Sequence, residues 1–270
     1  MTDRNRNLIV RIVTALVLLP GVLWLIWRGG FPFAVLIGVV AAAAALELNQ
    51  LASAELTGAA IVSMGGAFLI PLLHEVSLGG VDASAVLSAV VMVAFADALM
   101  FEREIANAPR RVGLSVLGAA YPGLLLATLI PVRQLPRGEW WIVLALAVTW
   151  LNDTFAYFVG RAFGRRKLYE RISPSKTWEG ALGGALGSIV GAVAVTLIWI
   201  PGLPAWGAAL IGAGAAVLGP VGDLSESMLK RAFGAKDSGR LLPGHGGLLD
   251  RIDALLFNAP FVLLCARLLA

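Results

Sequence analysis

Charge is what this sequence has least of. Only 14% of its 270 residues are Asp, Glu, Lys or Arg, while 59% are hydrophobic and mean hydropathy is +0.84. A typical soluble domain is about 25% charged, so an ordinary soluble domain is excluded and a polytopic membrane protein is indicated. Cysteine is nearly absent too. Cys265 stands alone, which rules out an internal disulfide. There are two His, and neither a His-Glu-x-x-His nor a Cys-x-x-Cys spacing occurs, which argues against zinc chemistry. No Walker A run occurs either, so a nucleotide would not be held in the P-loop manner.

What the chain has in place of charge is a series of long apolar runs. A membrane span needs roughly 20 apolar residues. Candidate runs cover 8–27, 31–50, 58–73, 84–101, 112–132, 140–160, 181–200, 204–222 and 252–269. The expected fold is therefore all-α and polytopic, with nine transmembrane helices. Residues 1–132 would form N-terminal helices and 133–270 C-terminal helices with catalytic loops, in one integrated membrane domain. The first run is longer than the apolar core of a signal peptide and lacks a clear cleavage site, so it reads as a retained helix.

Lys and Arg, enriched in cytoplasmic loops, orient the spans. With the N-terminus in the cytoplasm, 17 of the 21 Lys and Arg fall inside; Arg28, Arg133, Arg137 and Arg267 fall outside. Glu47, Asp97, Asp153 and Asp223 then lie in the cytoplasmic halves of four even-numbered spans. Ionisable groups at membrane depth are expensive and default to function. For Glu47 and Asp97 a position at the water interface is an equal alternative; Asp153 is expected to lie deeper.

Ten of the 38 charged residues fall in the single stretch Gly222–Asp253. This stretch carries five acids (Asp223, Glu226, Asp237, Asp250, Asp253) and five bases (Lys230, Arg231, Lys236, Arg240, Arg251) in a Gly-rich setting. Carboxylates hold hard divalent cations, and Lys, Arg and backbone N–H groups hold phosphate oxygens. Asp250 and Asp253, three apart, share a helix face. Three Asp around a basic loop beside membrane spans suggest metal-assisted phosphoryl or nucleotidyl transfer between a soluble phosphate compound and a lipid.

Residues 150–187 form a second candidate region. Asn152-Asp153 sits in the sixth span, with Tyr157 one turn later on the same face. A basic exit follows, through Arg161, Arg165, Arg166 and Lys167. Ser173-Pro174-Ser175-Lys176-Thr177 then opens the seventh span, with Ser173 expected as N-cap and Pro174 at N1. A helix start bearing Lys176 and hydroxyls can bind phosphate. Gly180, Gly184 and Gly187 recur at a spacing that lets helices approach closely.

The order of residues in the charged stretch resembles a known signature. Ser227, Lys230-Arg231, Lys236-Asp237, Gly239, Leu242-Pro243, His245-Gly246-Gly247, Asp250-Arg251 and Asp253 match that of the phosphatidate cytidylyltransferases, without departure over 27 residues. The Asn152-Asp153 and Ser-Pro-Ser-Lys-Thr-Trp-Glu-Gly runs are also similar, so the resemblance covers roughly 150–260. It implies CTP plus phosphatidate giving CDP-diacylglycerol and diphosphate at the cytoplasmic face of the inner membrane. Asp223, Asp250 and Asp253 would ligate Mg²⁺, with room for a second, monovalent cation. Lys230, Arg231, Lys236 and Arg251 would neutralise phosphates, and His245 would donate to the departing diphosphate. Asp153, Arg165, Ser173, Lys176, Thr177, Ser227, Gly246 and Gly247 would bind substrate. The resemblance also suggests a homodimer, and no nucleic-acid partner is expected. Rival readings are another CTP-dependent lipid enzyme of the polyprenol kinase type and a secondary transporter.

Overall fold

The computed structural model describes residues 3–52, 57–76, 82–244 and 246–269. Ten α-helices dominate it: α1 (Asp3–Arg28), α2 (Gly30–Ala52), α3 (Gly58–Val76), α4 (Ala83–Phe101), α5 (Ala108–Ala127), α6 (Leu129–Gln134), α7 (Gly138–Phe163), α8 (Trp178–Trp199), α9 (Ala205–Ala232) and α10 (Leu249–Leu269). A 3-10 turn, Ile105–Asn107, leads into α5. The only sheet among the described residues is a hairpin of β1 (Lys167–Tyr169) and β2 (Ser173–Thr177).

Eight segments among the described residues are long and apolar enough to cross a membrane; α5 and α6 form one of them, Ile105–Gln134. The remaining expected span corresponds to α1, whose described apolar stretch is Leu16–Arg28. Large apolar side chains such as Leu99, Leu182, Leu197 and Leu268 point outward, as lipid-facing groups do when lipid tails are the solvent.

The chain divides into two compact units: Met1–Ile130 with Asp237–Arg251, and Pro131–Lys236 with Ile252–Ala270. In the first, α3 packs on α2 and α5, and α4 packs on α3 and α5. Its core includes Ile70, Val86, Val90, Ala119 and Ala127. Asp97 pairs with Arg111, Oδ2 to Nε 2.7 Å, an ion pair that ties α4 to α5 and that neither reading of Asp97 anticipates.

In the second unit, α8 packs on α7 and α9. The glycine stripe of α8 makes the close approach expected of it. A Cβ at Gly180 would stand 2.9 Å from the Ala156 carbonyl, one at Gly184 2.5 Å from Asn152 Oδ1, and one at Gly187 2.7 Å from the Leu151 carbonyl. The missing side chains let α7 and α8 touch backbone to backbone, which sets where Asn152 and Asp153 lie.

The start of α8 differs from the expectation. Ser173 and Pro174 belong to strand β2, and the N-cap is Thr177, whose hydroxyl accepts from Gly180 N at 3.1 Å. β2 pairs antiparallel with β1, Lys167 opposite Thr177 and Tyr169 opposite Ser173. Lys167 Nζ also donates to the Pro174 carbonyl at 2.6 Å. The basic exit therefore folds back on the segment that follows it, and the helix begins four residues late.

Candidate active site

A cavity of about 390 Å³ lies in the second unit among α7, the hairpin, α8 and α9. Asn152, Asp153, Tyr157, Arg161, Lys176 and Asp223 are among its lining residues. Each arrives on a different logic. Asp153 and Tyr157 are one turn apart on α7, which puts both on the cavity face. Lys176 is carried in by β2, one residue before the cap. Asp223 comes from the C-terminal half of α9.

Lys176 Nζ contacts Asp223 Oδ2 at 2.5 Å, and Ser227 Oγ donates to Asp223 Oδ1 at 3.3 Å, one turn along α9. Both oxygens of Asp223 are thus engaged. Asp153 interacts electrostatically with Asp223 and Lys176, and Asp253 with Asp223, Asp153 and Lys176. Three carboxylates therefore share the field of one ammonium. Asp253 Oδ1 also accepts from Ala254 N at 2.7 Å, and a Cβ at Gly222 would stand 2.5 Å from the Asp253 carbonyl. Tyr157 OH accepts from Arg161 at 2.9 Å.

The donor set is carboxylate oxygen only, which suits a hard divalent cation, and its negative charge exceeds what Lys176 balances. By donor chemistry a cation fits. Among the described residues, however, no three His, Cys, Asp or Glu side chains are gathered closely enough to hold one ion.

The other expected site residues are distributed differently. Lys230 is buried, its Nζ 2.6 Å from Glu226 Oε2, one turn back on α9. Arg231 donates to the carbonyls of Ile172 (3.5 Å) and Ala235 (3.0 Å), tying the hairpin to the end of α9. Lys236 and Arg165 are exposed. His245 lies outside the described residues. Asp250, Arg251, Gly246 and Gly247 belong to the first unit. Asp250 Oδ2 accepts from Ser238 N and from Ser238 Oγ, both at 2.9 Å. Gly246 exchanges backbone hydrogen bonds with Leu242 (3.0 and 3.1 Å) and has φ +84°, a left-handed conformation suited to glycine. Its N–H is thereby committed to the chain. Gly247 makes a close approach, but to Ser238 and Asp250.

The sequence model of the cytidylyltransferase family matches residues 9–269. The chain belongs to the cytidylyltransferase family. It is 38% identical to a phosphatidate cytidylyltransferase of Brucella abortus, over 98% of this chain and 95% of the relative. It is 34% identical to that of Bacillus subtilis (97% of each chain) and 39% identical to that of Pseudomonas aeruginosa (93% of each).

Within this family frame, two groups were missed by residue-level reasoning. Glu179, in the first turn of α8, accepts from the backbone N–H groups of Arg165 (3.0 Å) and Arg166 (3.2 Å), and so closes the basic loop. An acid just after a helix start was a usable signal. Asn152 is buried and lines the cavity, and its Nδ2 has no hydrogen-bond partner among the described residues. Its neighbour Asp153 drew the attention.

Proposed function

We propose that this chain catalyses transfer of the cytidylyl group of CTP to phosphatidate, giving CDP-diacylglycerol and diphosphate. A phosphatidate oxygen forms a bond to the α-phosphorus of CTP, and the bond from that phosphorus to the β-bridging oxygen breaks. Diphosphate leaves with the bonding pair. What carries the reading is the near-full-length similarity to proteins of that name. It is supported by a cavity among membrane-spanning helices that bears acids and a cation on its walls.

The principal barrier is to bring two anions together, and fixed positive charge lowers it. Lys176 is the ammonium assigned to phosphate oxygens, with Asp223 and Ser227 fixing its position. Arg161, on the cavity wall, adds positive charge there, and Arg165 follows it in the adjoining loop. Thr177 shapes the approach by capping α8 behind Lys176. Mg²⁺ would be held by Asp223 and Asp253, which interact electrostatically, and would neutralise phosphate charge; Asp250 is a further ligand that the resemblance of the sequence implies. Phosphatidate already presents an anionic nucleophile, so no strong general base is required.

The lipid's chains stay in the bilayer while its headgroup enters the cavity. The distribution of Lys and Arg assigns the site to the cytoplasmic side of the inner membrane. The family resemblance suggests a homodimer as the assembly.

The test uses the purified full chain in mixed micelles with phosphatidate and CTP labelled at either the α- or the γ-phosphate, with and without Mg²⁺. Label from the α-position in the lipid, lost in Asp223→Asn, is expected. Label from the γ-position in a lipid alcohol would instead identify a kinase.

A further inference from the structure

The reaction as proposed uses none of the buried acids Glu47, Asp97 and Glu226, of which the last two pair with Arg111 and Lys230. Glu47, on α2, is 1% exposed, at a depth where a carboxylate is costly unless its oxygens are satisfied. Its Oε2 accepts from Leu249 N at 2.8 Å and from Ser238 Oγ at 3.2 Å. Its Oε1 is buried with no hydrogen-bond partner among the described residues. Glu47, Ser238 and Leu249 all belong to the first compact unit.

The surrounding chain is cut to fit this carboxylate. A Cβ on Gly239 would stand 2.5 Å from Glu47 Oε1, so only glycine leaves room for it. Leu249 N is the first N–H of α10, one of the donors that a helix start leaves unpaired; a carboxylate is the favoured acceptor there. Ser238 Oγ lies between two acids: 3.2 Å from Glu47 Oε2 and 2.9 Å from Asp250 Oδ2, while accepting from Asp250 N at 3.3 Å. One hydroxyl carries one proton, so Ser238 donates to one carboxylate at a time. Glu47 and Asp250 are therefore coupled through a single O–H.

We propose that Glu47 is a positioning residue that shapes the 237–251 segment. Its carboxylate holds the start of α10 and Ser238, and through Ser238 it sets the orientation of Asp250. As a role in turnover this rests on the cytidylyl-transfer reading; as a role in loop structure it does not. The loop that carries the signature residues is thus anchored by an acid nearly two hundred positions earlier in the chain.

The test is hydrogen–deuterium exchange on the full chain in detergent without substrates, paired with CTP-to-lipid transfer by the same preparations. In Glu47→Ala, amides across 238–251 should exchange at least roughly tenfold faster, since the buried acceptor of Leu249 N and of the Ser238 hydroxyl, which anchors the segment, is gone. Exchange in α3 and α5 should be unchanged. Transfer should fall by roughly 10- to 100-fold in kcat, with a smaller change in KM for CTP, as expected of a misplaced group. Glu47→Gln, which keeps an acceptor at the same place, should restore most of the protection and part of the rate.

Gly239→Ala, which drives a methyl toward Glu47 Oε1, should reproduce the loop-specific exchange, and it decides the matter if Glu47→Ala does not fold. Unchanged exchange over 238–251, or an equal rise throughout α2, α3 and α5, would overturn the anchor. Absence of transfer in the unmodified chain would overturn the cytidylyl-transfer reading while leaving the exchange result standing.

Discussion

The Lys176 ammonium lies 2.5 Å from the Asp223 carboxylate, strand β2 reaching helix α9 inside one cavity wall. The cation that would meet substrate phosphate is thereby held by an acid that would meet a metal. Each group limits the motion of the other, which is what a preorganised electrostatic site requires.

Loss of either partner should therefore cost the same function. Lys176→Met and Asp223→Asn should each lower kcat/KM for cytidylyl transfer by about 100-fold, the scale of removing one fixed group that stabilises developing charge. The double variant should be little worse than the poorer single one, because residues that act as a unit are not additive. Strictly multiplicative losses would show that the two act separately.

Lys230 should behave as a structural cation. It is buried against Glu226 at 2.6 Å, and removing one member of a buried pair strands the other. Lys230→Met should lower unfolding stability by about 3–5 kcal/mol, and Glu226→Leu combined with it should recover most of that. Thermal unfolding in detergent reads both. A Lys230→Met protein that is as stable as the parent but inactive would instead put Lys230 in the chemistry.

The contact between α7 and α8 should be intolerant of side chains. Gly184→Leu places bulk 2.5 Å from Asn152 Oδ1 and should cost about 1–3 kcal/mol, as overpacking does. Gly65→Ala is the control. Among the described residues nothing lies within 4 Å of its Cβ position, and alanine is the better helix former by up to ~1 kcal/mol. The first should lower the unfolding temperature and reduce transfer; the second should leave both unchanged or raise stability.

Acid should weaken the start of α4. Asp82 caps that helix, accepting from Ser84 Oγ at 2.6 Å, Ser84 N at 2.9 Å and Ala85 N at 3.2 Å. The Ser84 side chain first, then the Ala85 N–H, hold its carboxyl below the usual carboxylate range. A depressed folded value means stabilisation present above the ordinary pKa of about 3.9 and lost as pH falls through the lowered one. The cap is exposed, so salt should reduce the effect. Asp82→Asn keeps an acceptor without the titration. Circular-dichroism melts at pH 7 and pH 3 should therefore differ less for the variant than for the parent.

Hydropathy alone determined a good deal of this protein. The apolar runs announced the membrane helices because burial of backbone in lipid leaves a chain few options. The spacing of Gly180, Gly184 and Gly187 announced a close helix contact because helix periodicity is local; that α7 is the partner came from the structure. Order and spacing of the charged residues in 227–253 pointed to the family. Partner choice was not legible. Lys230 and Lys176 look alike in sequence, yet one is buried against Glu226 and the other faces the cavity with Asp223. The hairpin at 167–177 came from pairing between segments, where a proline beside a serine locally reads as a helix start. Glu47 was the hardest case. Its partners lie 191 and 202 positions away, and a carboxylate at the end of an apolar run looks the same whether it meets water or a buried loop. Only the tertiary structure supplies the donors that decide between them.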